Sequence, residues 1–286
     1  MEAPWTIPEA KLWSIPNEVR TSWDRRVPYY LRIRDHFASL IEAGSLAPGM
    51  KLPPERTLGD EFRITRVTVR QALMQLEAEG LIFRETRRGW FVSPPRIRYD
   101  PTANASFTES VTEQGRVAGT TVLSTERIAA STWESKNLNC AVGDPIYLIR
   151  RLRSVDGRAV LVEHLHVKAE RCPGLLEYSL DRSLTELMSE KFGIVERRAR
   201  INMRPTVLPE PHAQALGVAA GTASLYLSRI IYDQFNEVIE FDQEFWRHDA
   251  LDIWVEIGEQ IDEARKDAPA TTEGSRGVRG GRRHGR

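Results

Sequence analysis

The chain has 286 residues, 41% hydrophobic and 28% charged, enough apolar material for two domains of ordinary size, which excludes wholesale disorder and a fibrous protein. Its most apolar stretches, such as Pro145 to Leu152 and Leu225 to Tyr232, fall far short of the ~20 residues that cross a bilayer, so a soluble chain with no membrane partner is expected. The net charge of zero hides an asymmetry. Residues 21–98 hold fourteen basic and nine acidic side chains, residues 99–263 hold seventeen and twenty-six, and residues 264–286 hold seven and two. A basic first block suits a surface that meets phosphates, and an acidic second block must face away from nucleic acid. The N-terminus carries Glu2, Glu9 and three tryptophans with no apolar run, unlike a signal peptide, so a cytoplasmic location is expected. Cys140 and Cys172 read as reduced packing residues.

Residues 1–26 contain two Trp-x-Ile-Pro units, Trp5 to Pro8 and Trp13 to Pro16, without helical periodicity, and read as an extended arm. Tyr30, Ile33, Phe37, Leu40 and Ile41 then recur at helical spacing until Gly44. Pro48-Gly49 and Pro53-Pro54 force a loop, and Glu55 to Phe62 gives a short helix with Leu58 and Phe62 on one face. Thr65 is a good N-cap for a third helix that uses Val69, Ala72, Leu73 and Leu76 and stops at Gly80. Two β-prone runs, Leu81 to Arg84 and Gly89 to Val92, make a hairpin. Ser93-Pro94-Pro95 opens a linker.

The remainder mixes strand-like runs (120–128, 146–154, 159–167, 225–233, 237–245) with helical ones (106–114, 183–192, 210–216). Turn signals at Asp156-Gly157 and Asn236-Glu237 imply hairpins, hence an antiparallel sheet with helices on one side. Ala250 to Lys266 reads as a terminal helix packing Leu251, Trp254 and Ile261, and the Arg/Gly-rich end as a flexible basic tail. The expected units are therefore an arm (1–26), a head (27–93), a linker (94–105), an α+β domain (106–264) and a tail (265–286).

Three helices and a hairpin, with a tight turn before an Arg-rich third helix, describe a winged helix-turn-helix. Arg66, Thr68 and Arg70 near the start of that helix can reach base edges and phosphates in a major groove while Val69, Ala72 and Leu73 anchor it. The hairpin tip adds Arg87 and Arg88, suited to an adjacent phosphate or minor groove. Residues Tyr29 to Val92, with Gly44-x-Leu46-x-Pro48-Gly49, Leu52-Pro53-Pro54-Glu55-Arg56, Phe62-x-x-Thr65-Arg66-x-Thr68-Val69-Arg70-x-Ala72-Leu73, Gly80-Leu81-Ile82 and Gly89-x-Phe91-Val92, resemble the GntR family of bacterial transcription regulators. The resemblance implies DNA contacts from Arg56, Arg66, Thr68 and Arg70, on a helix capped by Thr65, with the wing residues Arg87, Arg88 and Gly89 beside them. The family's wing usually reads Gly-x-Gly-Thr, and here Arg87, Arg88, Gly89 and Trp90 stand in those places, a bulkier wing that would shift its groove contact.

The second half is similar to the UTRA effector domain of the HutC-type branch, an α+β fold like chorismate lyase. Ser106-Phe107-Thr108-Glu109, Ile146-Tyr147-x-x-Arg150-Arg151-Leu152-Arg153, Glu163, Ser183-Leu184, Ala215-Leu216-Gly217 and Glu240 to Trp246 carry that likeness. Arg151 and Arg153, two apart on a strand, share one face, and two guanidiniums there can hold a phosphate, phosphonate or carboxylate. Glu163 and Glu240 can balance an amine or accept from hydroxyls. The resemblance places effector contacts at Arg151, Arg153, Glu163, Ser183 and Glu240, with backbone donors near Ser106, Phe107 and Thr108, and puts Thr185 and Trp246 where relatives can carry tyrosines. The alternative on the same residues is an Arg stripe exposed on the sheet and paired with Glu.

His164 and His166 share a strand face and could bind a metal with Asp242 or His248, but nothing in the spacing fixes such a site, and no metal or cofactor is expected. The expected function is a dimeric, effector-responsive regulator, most simply a repressor, on a palindromic double-stranded DNA operator. A small anion releases it, with a phosphonate or phosphorylated compound favoured by the look of Trp90 to Pro101. The rival is an enzyme using Arg151, Arg153 and Glu163 on an anionic substrate.

Overall fold

The computed structural model describes residues 26–85, 88–103 and 106–256. The expected arm, the basic tail and Arg87 lie outside the described residues.

The head is built on three helices. Pro28 sits at the N-cap of α1 (Tyr29–Glu42), which buries Ile33 and Phe37, and Pro54 likewise starts α2 (Glu55–Phe62). Arg63 ends α2 with φ of 53°, a left-handed residue that turns the chain sharply into α3 (Arg66–Ala78). Thr65 caps α3, its hydroxyl accepting from the Thr68 N–H at 3.3 Å. Val69, Ala72, Leu73 and Leu76 of α3 meet Ile33, Phe37, Leu58 and Phe62 in one core, with the Phe37 and Phe62 rings edge to face at 6.2 Å. Strands β1 (Ile82–Glu85) and β2 (Gly89–Val92) pair antiparallel from Ile82 opposite Val92 to Glu85 opposite Gly89. The loop before α2 laces onto β2, Gly49 N–H donating to Val92 O and Leu52 N–H to Trp90 O.

The second half carries a six-stranded antiparallel sheet. Its strands are β4 (Ala118–Ala129), β5 (Pro145–Val155), β6 (Arg158–Lys168), β7 (Arg198–Val207), β8 (Ala223–Tyr232) and β9 (Val238–Arg247), in the spatial order β4-β5-β6-β9-β8-β7. Helices were expected on one side only, and the structure corrects this. On one face, α4 (Phe107–Thr112) and α6 (Leu184–Phe192) pack against Trp246, Leu165 and Val167. On the other, α5 (Thr132–Leu138) and α7 (Glu210–Ala215) cover Phe241 and Val162. Central strands β6 and β9 are buried on both faces, and each face needs its own cover.

A second correction concerns Ala250 onward. Instead of a helix starting there, Leu251–Ile253 forms β10, which runs parallel to β3 (Ile97–Tyr99) within the stretch read as a linker. Ile97, Tyr99 and Leu251 bury together with Val160 and Trp246, so this small sheet closes one end of the core. The spacing of Leu251 and Trp254 fits a helix by coincidence of three residues.

Candidate nucleic-acid interface and effector cavity

On α3 the buried stripe leaves Arg66, Val67, Arg70, Gln71 and Met74 exposed along one face. The Thr65 and Thr68 hydroxyls lie 3.0 Å apart at its N-terminal end, where the helix dipole is positive. Arg70 is held in a fork by Glu55 of α2, with Nη2 at 2.8 Å and Nε at 3.1 Å from Oε2. This bond, more than the partial burial that opposes it, holds the Glu55 carboxyl below its ordinary value. Arg56 projects from α2, with Asp60 at 3.8 Å. In the wing Arg88 pairs with Glu85 and its guanidinium lies 5.3 Å from the Phe91 ring centre. Gly89 takes φ of 107°, a backbone that favours glycine. Trp90 does not add bulk outside: its indole is 5% exposed and belongs to the head core.

The inward face of the large sheet opens into a cavity of about 640 Å³. Ser106, Phe107, Arg151, Arg153, Glu163, Ser183, Glu240 and Trp246 all line it. Arg151, Arg153, Glu163 and Glu240 are each under 5% exposed, so the alternative of a solvated Arg stripe is wrong. Glu163 Oε1 accepts from Arg151 Nε and from Arg153 Nε, the latter at 2.8 Å. Arg151 Nη1 also donates to the carbonyls of Leu180 (3.1 Å) and Arg182 (3.0 Å), tying the loop before α6 to the sheet. Arg153 donates to Thr120 and stacks 5.0 Å from the Phe107 ring centre. Ser183 caps α6 through Glu186 N–H at 3.3 Å, leaving its hydroxyl proton available.

Thr108 does not line the cavity. One residue beyond Phe107 the helix has turned by about 100°, which carries its side chain away. Ser106 is also more committed than expected, since in its capping box its N–H donates to Glu109 Oε2 at 2.7 Å.

Sequence reasoning passed over several cavity residues. Asp242 and Glu244 join Glu240 and Trp246 on alternate positions of β9, Arg229 stands opposite Asp242 on β8, and Tyr99 comes from β3. The period-two rule applied to Glu240 would have found Asp242 and Glu244. Burial raises the Glu240 carboxyl to about 8, helped by neighbouring acids and opposed by Arg151. Burial also raises Asp242 well above its ordinary range, followed by the Glu244 and Glu163 charges. Burial would raise Glu163 too, but Arg151 and Arg153 outweigh it and hold that carboxyl low.

The comparisons with known proteins agree with both halves. Residues 29–92 match the bacterial regulatory proteins of the gntR family, and residues 113–252 match the UTRA domain. The chain is 30% identical to the HTH-type transcriptional regulator YihL of Escherichia coli over 76% of its own length and 92% of that protein's. The chain belongs to the GntR family of bacterial transcription regulators. It is also 30% identical to the HTH-type transcriptional repressor NagR of Bacillus subtilis, over 78% of this chain and 92% of NagR. With the HTH-type transcriptional repressor PhnF of Mycolicibacterium smegmatis it shares 32% identity over 77% of this chain and 91% of PhnF. A crystal structure of PhnF from Mycobacterium smegmatis superposes with a TM-score of 0.57 at 28% identity, covering 79% of this chain and 99% of that one.

In this GntR-family chain the two halves touch at the end of the recognition helix. His248 Nε2 lies 2.8 Å from Glu77 O, and Arg96 Nη2 donates to Glu79 O at 2.7 Å. The sheet separates His164 and His166 from Asp242, with which they were considered as metal ligands. His164 and His166 face α7 and α5, His164 stacking on His212 with their Nε2 atoms 3.2 Å apart, whereas Asp242 faces the cavity. Among the described residues no three His, Cys, Asp or Glu side chains are grouped to hold a metal ion, and no helix is long and apolar enough to cross a membrane.

Proposed function

We propose that this GntR-family regulator is a dimeric repressor that binds a palindromic operator through two winged helices and is released by a small anionic metabolite, a phosphonate or a phosphorylated compound. Arg66, Thr68 and Arg70 read and grip the major groove, Arg56 and the wing residues Arg87, Arg88 and Gly89 hold phosphates, and Thr65 caps the reading helix. Two half-sites multiply these contacts and make binding depend on the spacing of the heads. Repression is supported by the names of NagR and PhnF.

The observation that carries the effector reading is the convergence of Arg153, Ser183, Phe107 and Trp246 on one buried cavity around the Arg151–Glu163–Arg153 cluster. Arg153 and the Ser183 hydroxyl would take the anion, and Phe107 and Trp246 would enclose the rest. The main-chain N–H of Phe107, in the first turn of α4, would be a further donor. The effector shifts the heads only by as much as it prefers the released state.

The test is a mobility-shift titration of the full chain against its own upstream DNA at fixed salt, repeated with phosphonates, sugar phosphates and small carboxylates. Specific binding released by one phosphonate or phosphorylated compound supports the reading. Specific binding released only by a carboxylate, or by no compound, overturns the effector class, and purely salt-sensitive nonspecific binding overturns the operator.

A further inference from the structure

Resting on the anionic-effector reading above, we infer that the effector also carries a cationic group, an ammonium, and that Asp242 together with Glu240 receives it. The argument starts from the charges on the cavity floor. Three successive inward positions of β9 are acidic, Glu240, Asp242 and Glu244, and the fourth is Trp246. Glu163 of β6 stands directly opposite Glu244 in register. A pocket meant for an anion alone would not gather four buried carboxyl groups.

Their partners divide unevenly. Glu163 is neutralised by Arg151 and Arg153. Glu244 accepts from the Trp246 indole at 2.5 Å and has Arg229 Nη2 at 3.6 Å. That same Nη2 donates to the Tyr99 hydroxyl. Asp242 lies between Leu165 on β6 and Arg229 on β8, is 4% exposed, and its Oδ1 is fully buried with no hydrogen-bond partner. Leaving such an oxygen unmet is costly, and the cavity it lines is where a donor can come from. Glu240, two residues away on the same face, is the next acceptor along the floor.

The donor chemistry narrows further. Side chains two apart on a strand have Cα atoms ~6–7 Å apart, which suits a group with several donors directed outward better than one small metal ion. An ammonium has three N–H donors and a full positive charge, and it takes Asp242 Oδ1 and Glu240 while the anionic end of the same molecule lies toward Arg153 and Ser183. The charged and titratable groups that line the cavity with Asp242 are Glu163 on β6, Glu240 and Glu244 on β9, Arg229 on β8, Arg151 and Arg153 on β5, Tyr99 on β3, Glu196 and Arg197 before β7 and Arg198 at its start. Burial first, and then the Glu244, Glu163 and Glu240 charges, raise the Asp242 carboxyl well above its ordinary range, and an incoming ammonium opposes that rise by favouring the ionised form, so its binding draws protons from the floor of the cavity.

Isothermal titration of the full chain with 2-aminoethylphosphonate, 2-hydroxyethylphosphonate and ethylphosphonate, and with the matching phosphate monoesters, tests this. The amino member of a series should bind at least tenfold tighter than its hydroxy and plain partners. At neutral pH its binding heat should change between buffers of different ionisation enthalpy, reporting proton release. Asp242→Asn should remove the tenfold preference while the weaker binding of the plain members persists. The affinity order and the buffer dependence are read on the wild-type chain, so they stand if the variant does not fold. Hydroxy or plain members binding as tightly as the amino one, with no proton released, would overturn the ammonium site and leave the anion reading intact. No binding by any of the six compounds or by inorganic phosphate would overturn the anion reading and this inference with it.

Discussion

The Glu77 carbonyl near the end of α3 lies 2.8 Å from His248 Nε2, and His248 stands two residues after Trp246, which lines the cavity on the large sheet. The same carbonyl accepts from Gly80 N–H at 2.9 Å, while Leu81 N–H donates to Leu76 O, so His248 bears on the Schellman turn that ends α3. Gly80, with φ of 74°, packs beneath the Arg96 guanidinium that reaches Glu79 O. The strand that floors the cavity therefore continues into a residue that grips the reading helix at its negative end. His248→Ala should leave operator affinity within about threefold and raise the effector concentration for half-release by about tenfold, a coupling of the usual ~1–3 kcal/mol. Mobility shifts with and without effector measure both quantities. An unchanged release midpoint would remove this contact from the coupling path.

Arg66 and Arg70 are spaced one turn apart on the exposed face of α3, but they start from different states. Arg70 is pre-set by its fork to Glu55, whereas Arg66 projects into solvent at the first turn. Loss of either base-edge contact should cost about 1–3 kcal/mol of specific affinity. Arg66→Ala and Arg70→Ala should thus weaken operator binding by about ten- to hundredfold at fixed salt, with a smaller loss on unrelated DNA. Equal affinity for operator in both variants would show that another face of the head reads the sequence.

Trp90 replaces a small residue of the usual wing, and its indole fills the head core beside Leu52 and Val92. Truncating a buried Trp costs roughly 3–5 kcal/mol, so Trp90→Ala should lower the melting temperature markedly and lose DNA binding through unfolding. Trp90→Phe keeps most of the packing and should retain operator affinity. A Trp90→Phe chain that melts normally yet binds DNA tenfold more weakly would assign the indole to the DNA instead.

Much of this architecture was legible because local rules agree with one another. The Thr65 cap, the α3 apolar stripe and the Gly80 stop fall where spacing and capping chemistry put them. Arg151 and Arg153 share the cavity face as a period of two requires. Strand β7 was passed over although Ala199, Ile201, Met203 and Val207 alternate with Arg198, Arg200, Asn202 and Arg204; Pro205 interrupts the β-prone run, and as an edge strand it is exposed along nearly all its length. Helix α5 is a single short stretch, though its Ser131 to Glu134 capping box was present in the sequence. The β3–β10 pairing joins residues about 150 apart, and only tertiary contact makes a strand of either. The burial of Arg151 and Arg153 was beyond the sequence for the same reason, since it depends on the α4 and α6 cover over that face.

Glu240 links the cavity to stability. Its carboxyl is raised from 4.5 to about 8, by burial first and then by the acids around it, so the folded chain keeps a proton that the unfolded chain gives up above pH ~4.5. Between those values the unfolded state binds fewer protons, and the contribution of Glu240 to stability falls as pH rises, the loss being complete above about pH 8. Asp242, raised for the same cause, adds in the same direction, while Glu163, held low by Arg151 and Arg153, acts oppositely and loses its contribution only as pH falls. At ~1.4 kcal/mol per pKa unit the Glu240 effect is on the order of a few kcal/mol. Glu240→Gln, which copies the neutral acid, should therefore melt close to wild type at pH 5 and several degrees higher at pH 9 in the absence of ligand. Thermal denaturation followed by circular dichroism at both pH values decides it: an equal shift at the two would mean that Glu240 is ionised in the folded chain throughout.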